Sequence, residues 1–431
     1  MSAPLEILLL RLWAFAAGLA LWAPAVMVPV AGLPFQPLDL LVPAGWPLLA
    51  AHARRLPPGL SAVVLSALLS LAFSWLIAGG VWIVLAWTLG FALPFVLLAG
   101  LAACEPGAAR ALTGGFLLGA GLSLVLFVAQ LVVGAEVLDF RNNYAFRLPP
   151  HYGRGFALFP EVSTFAAHGV LAFCALLVPC LSPQSGKGRL AVRLLAAALA
   201  VALLFTQSTT LLVVLPLLAV VALAKTTRAS FNTLVLTMLL ALGLALLVML
   251  FVQSFYTERL QSASAERSAS MRLASLLGGL SILWSGDVFG VGIGRNELVA
   301  PRAFAVARAL GLSFGALPEG VNGQLVGRIF EEGWPAVLHY LLGGALLIAA
   351  LRRARAPGDA MLALMALGSL MISAAVVGYR GVYTNWLWLA LPAGLLARLH
   401  AAAPRAPPAS RQPDGLAEEL DPAELGALPG A

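Results

Sequence analysis

The sequence predicts an all-α fold, a polytopic membrane bundle of about twelve transmembrane helices, and three observations carry that expectation. Of 431 residues, 61% are hydrophobic and only 10% charged, against roughly a quarter charged in a typical soluble domain. Mean hydropathy is +0.94. Apolar runs of about twenty residues, the length a helix needs to cross hydrocarbon, recur along most of the chain. A chain of this composition cannot clothe a water-facing surface, which excludes soluble enzymes, fibrous proteins, disordered scaffolds and free nucleic-acid binders. Cys104, Cys174 and Cys180 are odd in number, lie in or beside apolar segments and lack metal-ligand spacing. Neither a disulfide framework nor structural zinc is expected from them.

The runs fall at 8–30, 36–51, 60–78, 81–102, 111–134, 162–181, 190–206, 208–224, 231–252, 333–351, 360–378 and 382–398. Arg11 interrupts the first, and no small-residue cleavage site follows it, so it reads as a retained helix and not as a signal peptide. The second is short and broken by proline. With the N-terminus in the cytosol, the basic loops alternate without conflict. Arg54–Arg55, Arg110, Lys187–Arg189–Arg193, Lys225–Arg228, Arg352–Arg353–Arg355 and Arg398 all fall inside, as the positive-inside rule expects, and both termini are cytoplasmic. Residues 1–398 form the bundle, 253–332 a large external loop between spans 9 and 10, and 399–431 an Ala/Pro-rich tail expected to be disordered. Within the loop, 273–289 is apolar enough to span, but spanning would turn Arg352, Arg353 and Arg355 outward. It is therefore expected to lie at the interface or cap the bundle, with Pro301 opening a second short helix.

Fifteen of the 26 cationic residues fall inside. The eleven outside are concentrated in 135–160 (Arg141, Arg147, Arg154), in 253–332 (Arg259, Arg267, Arg272, Arg295, Arg302, Arg308, Arg328) and at Arg380. External arginine runs against the insertion bias and points to an anionic partner there, although long loops translocate whatever their charge.

Four stretches carry the chemistry. Arg147 to His168 sets Arg154, Glu161 and His168 at the start of the sixth span, with Glu161 and His168 two turns apart on one helical face. The competing reading is a helix-end carboxylate and a bundle-facing histidine. Ser270 to Glu297 places Arg272 before an amphipathic run and Arg295 after the turn Gly290-Val-Gly-Ile-Gly294. Such a turn allows a phosphate to approach the backbone, but without a Walker lysine or a preceding strand tight turning alone explains it. Asn322 to Gly333 brings Arg328, Glu331 and Glu332 to the tenth span, and Gly378 to Asn385 carries Arg380. Several guanidinium forks together hold a diphosphate without a metal, so no metal or cofactor is expected. Arg154, Arg272, Arg295, Arg328 and Arg380 are the candidate diphosphate ligands, and Glu161, Glu332, Glu331 and His168 the candidate general bases for an acceptor hydroxyl.

At these residues the sequence resembles the O-antigen ligase and polymerase superfamily, the Wzy-type and WaaL-type membrane glycosyltransferases, over nearly all of 1–398. GRGFALFPEVSTFA is similar to the family's Arg-Gly-Phe stretch followed by Glu-Pro-Ser, with Val162 in place of the usual proline. MRLASLLGGLSILWSGDVFGVGIG is similar to the arginine, amphipathic helix and Gly-Val-Gly turn that put Arg272 at the family's substrate-diphosphate position, and NGQLVGRIFEEGWPAVL to its element ending in Glu-x-Gly. Ligases show His-Asn where this chain has Val321-Asn322, and Ser-Arg where it has Gln207-Ser208-Thr209-Thr210, so the resemblance leans to the polymerases. It implies a GT-C-like bundle in the bacterial inner membrane. It also implies a periplasmic active site that joins undecaprenyl-diphosphate-linked repeat units, donor to acceptor, alongside a chain-length regulator. Transfer to lipid A-core by a ligase, and transport of the same lipid by a flippase, are the alternative expectations. A flippase fits less well, because the charges gather on one side and the two halves do not repeat.

Overall fold

The computed structural model describes residues 3–30, 33–140, 155–181, 189–206, 263–311, 320–321, 323–375 and 382–402. In these residues the chain is almost wholly helical. The helices are α1 (Ala3–Ala20), α2 (Pro37–Ala44), α3 (Trp46–His52), α4 (Pro58–Ala78), α5 (Trp82–Cys104), α6 (Pro106–Val133), α7 (Val162–Leu181) and α8 (Arg189–Phe205). After these come α9 (Ala263–Leu280), α10 (Val299–Ala309), α11 (Gln324–Glu332), α12 (Trp334–Arg353), α13 (Pro357–Ala375) and α14 (Leu387–Ala401). Among the described residues six helices are long and apolar enough to cross a membrane: α4, α5, α6, the Val162–Cys180 part of α7, α12 and the Pro357–Ala374 part of α13. Their outward faces carry Leu65, Leu76, Ile83, Leu122, Val125 and Val132, each more than half exposed. Rows of bare aliphatic side chains of this kind fit a bilayer as solvent, and the chain is a multi-pass membrane protein.

Three expectations are corrected. The first run, 8–30, is helical only to Ala20. Beyond it Pro24, Pro29, Pro34 and Pro37 remove backbone donors, and the chain forms a two-stranded antiparallel ribbon, Val28–Val30 against Leu33–Phe35, with Pro29 opposite Pro34. The second run, 36–51, is two short helices jointed at Gly45, with Pro43 and Pro47 on either side, and neither piece is of membrane length. The last run, 382–398, begins as a 3-10 turn, Tyr383–Trp386, before α14. Runs 208–224 and 231–252 lie outside the described residues. The segment 273–289 does not continue as one helix: α9 gives way to a 3-10 turn at Ser281–Trp284 and then to bends. Pro301 does sit in the opening turn of a short helix, α10.

Small residues let the helices approach. A Cβ on Gly18 or Gly115 would fall 2.2 Å from Leu112 O or 2.1 Å from Phe15 O, so α1 and α6 cross with backbones almost touching. Gly394 and Gly100 do the same for α14 and α5, where a Cβ on Gly394 would sit 2.0 Å from Gly100 O. In α5 one turn, Thr88–Ala92, widens into a π-helix just before Pro94. The proline has no N–H and its ring crowds the preceding turn, which accounts for the widening.

The glycine turn after α9 takes its position from helix ends. Val291 N–H donates to Phe330 O (3.0 Å) and Gly292 N–H to Glu331 O (3.1 Å), covering carbonyls that α11 leaves open at its C-terminus. Ile293 N–H donates to Gly79 O and Val81 N–H to Ile293 O, which ties the turn to the end of α4. Gly290 and Gly333 have φ of +82° and +69°, and a Cβ on either would meet opposing backbone at 2.3 or 2.1 Å. Gly333→Ala is expected to destabilise the protein by about 2–4 kcal/mol, whereas Gly114→Ala, inside α6 with nothing within 4 Å, should be neutral or gain up to ~1 kcal/mol. Thermal unfolding of the purified protein in detergent measures both, and equal midpoints for the two variants would contradict this packing.

Candidate functional site

Parts of the four stretches pack together: the 3-10 turn Tyr383–Trp386 touches His168 and Arg328, and the glycine turn of 270–297 joins them through α11. The four residues of the 3-10 turn are all buried. Tyr383 Oη donates to Asp39 Oδ1 (2.5 Å), Thr384 Oγ1 lies 2.5 Å from His168 Nε2, and the Trp386 ring lies 5.3 Å from the Arg328 guanidinium. Ser369 Oγ on α13 donates to Thr384 O and accepts from Trp388 N–H, which fixes the turn against its neighbour.

The strongest electrostatic feature is Arg328 on α11. Its Nε and Nη2 donate to the two carboxylate oxygens of Glu332, both at 2.7 Å, one helical turn away, and both side chains are almost fully buried. Burial disfavours the guanidinium charge, but Glu332, Tyr340 and Glu331 together outweigh it, so the Arg328 pKa stands above its ordinary value. Tyr340 and Trp386 stack on the guanidinium, with ring centroids at 5.4 and 5.3 Å. The wall opposite comes from α4, where Ser66, Ser70 and Ser74 recur every fourth residue and so share one face. Ser70 Oγ donates to Glu332 Oε2 (2.6 Å), Ser74 Oγ donates to Glu331 O (2.8 Å), and Ser66 Oγ sits 2.8 Å from His339 Nδ1. Arg328 Nη1, Gln324 Oε1 and His339 Nε2 are buried without a hydrogen-bond partner among the described residues.

Not every candidate residue joins this cluster. Arg154 and Arg380 lie outside the described residues. Arg328 is not an open anion site, because its fork is spent on Glu332 and only Nη1 remains. Glu332 accepts from both Arg328 nitrogens and from Ser70, and Glu331 is equally buried. His168 and Glu161 do not present a common face. Glu161 precedes α7, is exposed, and accepts from Ser163 Oγ (2.9 Å), while His168 is buried with Nδ1 on Thr164 O and Nε2 on Thr384. Its ring packs on Trp22 and Phe159, so it is the bundle-facing histidine of the competing reading. Arg295 is exposed and Arg272 half-buried, and neither makes an ion pair among the described residues. Arg302 instead bonds Asp287, whose carboxyl that hydrogen bond holds below its ordinary pKa, and lies over Phe330, clamping α10 to the glycine-turn segment and α11.

Three contributors escaped the sequence reading. The serine stripe of α4 was readable, since four-residue spacing of hydroxyls on an apolar helix marks a face with polar neighbours. Asp39, which accepts from Tyr383 Oη, Trp87 Nε1 (3.3 Å) and Gln36 N–H (2.9 Å), sits in a run that reads as an ordinary short span. Gln130 near the end of α6 accepts from Phe156 and Ala157 N–H and donates to Leu138 O and Ala157 O. It pins the Arg-Gly-Phe stretch immediately after Arg154.

No protein-family model matches the chain, and no curated protein matches it.

Glu332→Gln leaves a buried guanidinium without a counter-charge and is expected to cost about 3–5 kcal/mol. The double variant Arg328→Met/Glu332→Gln removes both charges and should lie closer to wild type than either Arg328→Met or Glu332→Gln alone. Unfolding midpoints of the four proteins close the cycle. A double variant as damaged as the sum of the singles would mean that the two side chains are not coupled.

Proposed function

We propose that the protein is an inner-membrane glycosyltransferase that polymerises undecaprenyl-diphosphate-linked oligosaccharide repeat units of O-antigen or exopolysaccharide on the periplasmic face. In this reading the membrane bundle carries a large periplasmic loop at 253–332, and both termini are cytoplasmic. The observation that carries the reading is that the stretches resembling the polymerase superfamily pack on one another. The Gly-Val-Gly turn bonds the Glu-x-Gly element through Phe330 O and Glu331 O, and the segment holding His168 reaches the segment after Arg380 through Thr384.

The described geometry narrows the roles. An ionised carboxylate already paired with arginine is a poor proton acceptor, so Glu332 is assigned with Arg328 to holding α11 against α4. Glu161 is exposed and free of a cationic partner among the described residues, and it is assigned as the general base for the acceptor hydroxyl. Arg154, Arg272, Arg295 and Arg380 are assigned to the diphosphate. Inversion follows from a single displacement. The acceptor oxygen attacks the anomeric carbon as its proton passes to Glu161, the bond from that carbon to the diphosphate oxygen breaks, and the arginines stabilise the departing charge. Four guanidinium groups substitute for a divalent cation in this role, so the reaction is metal-independent.

The test is incubation of purified protein with a lipid-linked repeat unit in EDTA, scored for oligomers. Growth of a ladder supports polymerisation, transfer only to an added core lipid would make the protein a ligase, and neither product would leave the flippase alternative. Arg272→Ala is expected to slow the ladder about 10²–10³-fold, and Glu161→Gln about 10²–10⁴-fold, with membrane levels unchanged. Wild-type ladders from both variants would remove these residues from the mechanism.

A further inference from the structure

The opposite end of the bundle has its own chemistry. On α13, Asp359 lies ten residues before Ser369, about 15 Å along the helix axis from the polar cluster. On α14, Arg398 lies twelve residues beyond Trp386, in the last turn. Between these helices and the start of α6 is a cleft of about 360 Å³, lined among others by Ala109, Arg110, Asp359, Leu362, Arg398 and Ala402.

The charges in the cleft do not balance. Arg398 Nη2 donates to Asp359 Oδ1, and both side chains are more than four-fifths buried. Arg110 is exposed at the rim and has no ion-pair partner among the described residues. A further charged pair, Arg11 with Glu105 at the N-terminus of α6, is closed on itself. Arg352 and Arg353 in the last turn of α12 and Arg355 in the link to α13 are exposed and add to the surplus of positive charge at this end. Other polar groups are already engaged: Thr113 Oγ1 donates to Ala109 O (2.9 Å), and Ala108 N–H is taken by Glu105. The remaining lining is apolar and comes from α6 and α13, both of membrane length, and from the end of α14.

We propose that this cleft is a binding site for one anionic phospholipid of the surrounding bilayer, its headgroup phosphate on Arg110 and Arg398 and an acyl chain along Ala109, Leu362 and Leu399. Free phosphate would answer the charge and leave the apolar wall bare. A zwitterionic phospholipid would fill the wall but bring its ammonium group against Arg110. An anionic headgroup on a hydrocarbon tail satisfies both surfaces. The site is independent of the glycosyltransferase reading.

The experiment uses the purified full-length chain in non-ionic detergent, with lipid retention followed by native mass spectrometry and stability by thermal unfolding, in the presence of phosphatidylglycerol, phosphatidylethanolamine or inorganic phosphate. Phosphatidylglycerol is expected to be retained and to raise the unfolding midpoint, and the other two to do neither. Losing one guanidinium at a membrane surface, Arg110→Ala should weaken retention about fivefold, while Arg110→Lys keeps it within about twofold. Ala402→Trp, at an exposed position lining the cleft, should block the tail without altering any charge and also lower retention. Unchanged retention in both Arg110→Ala and Ala402→Trp would overturn the site. Equal retention of phosphatidylethanolamine, or stabilisation by inorganic phosphate alone, would overturn the assignment of its ligand.

Discussion

A guanidinium and a carboxylate buried together among apolar helices must satisfy each other, and the arrangement of this end of the molecule follows from that requirement. Arg328 and Glu332 are one turn apart on a helix of nine residues, too short to hold its shape by propensity alone. The short helix is fixed from three sides. The glycine turn covers its last carbonyls, the serines of α4 complete the hydrogen bonding of Glu332 and of the Glu331 carbonyl, and Trp386 and Tyr340 shield the guanidinium. Removing any one of these leaves a buried charge or a buried backbone carbonyl without its partner. The Gly290–Gly294 turn therefore needs no phosphate to account for its glycines. Its amides at Val291 and Gly292 are already occupied by protein, and the absence of Cβ atoms is what lets two backbones come within bonding distance.

How much of this was legible in the sequence depends on the range of the interaction. Long apolar runs gave α4, α5, α6, α7, α12 and α13 because membrane length is a local property of composition. Proline defeated the same reading at 21–51: a window average counts Pro24, Pro29 and Pro43 among apolar neighbours and misses that each removes a backbone donor. The identity of the polar stretches was legible, since arginine and glutamate in a hydrophobic chain are conspicuous. Their partners were not. Ser70 and Glu332 are 262 residues apart, and Tyr383 and Asp39 are 344 apart, so nothing local in the chain says which hydroxyl will meet which carboxylate. The same limit explains why Arg328 and Glu332 read as separate candidates for anion binding and base catalysis when their first obligation is to each other.

The 3-10 turn at Tyr383–Trp386 shows how a helix too short for the bilayer can serve such a site. α14 has 15 residues, about 22 Å of rise. The four residues before it add about 8 Å at the steeper 3-10 rise, bringing the whole to the roughly 30 Å of a hydrocarbon core. A regular α-helix of equal length would need about 20 residues and would turn successive side chains by 100°. The tighter winding, close to 120° per residue, sends Tyr383, Thr384 and Trp386 toward three different neighbours, Asp39, His168 and Arg328. One short irregular segment thereby connects polar groups from α2, α7 and α11 that have no direct bond among themselves in the described residues.

This division has a consequence for where chemistry can occur. Arg328, Glu332 and His168 are each occupied by partners inside the bundle, which makes them a rigid floor and leaves little capacity to bind and release a charged substrate at every turnover. The residues with capacity to spare are Glu161, exposed just before α7, Arg272 within α9, and Arg295 just after the glycine turn. A buried ion pair is costly to assemble and slow to rearrange, whereas an exposed carboxylate or guanidinium exchanges partners freely with water. For the proposed exchange of a highly charged headgroup, the place for the exchanging groups is outside the sealed pair and not within it.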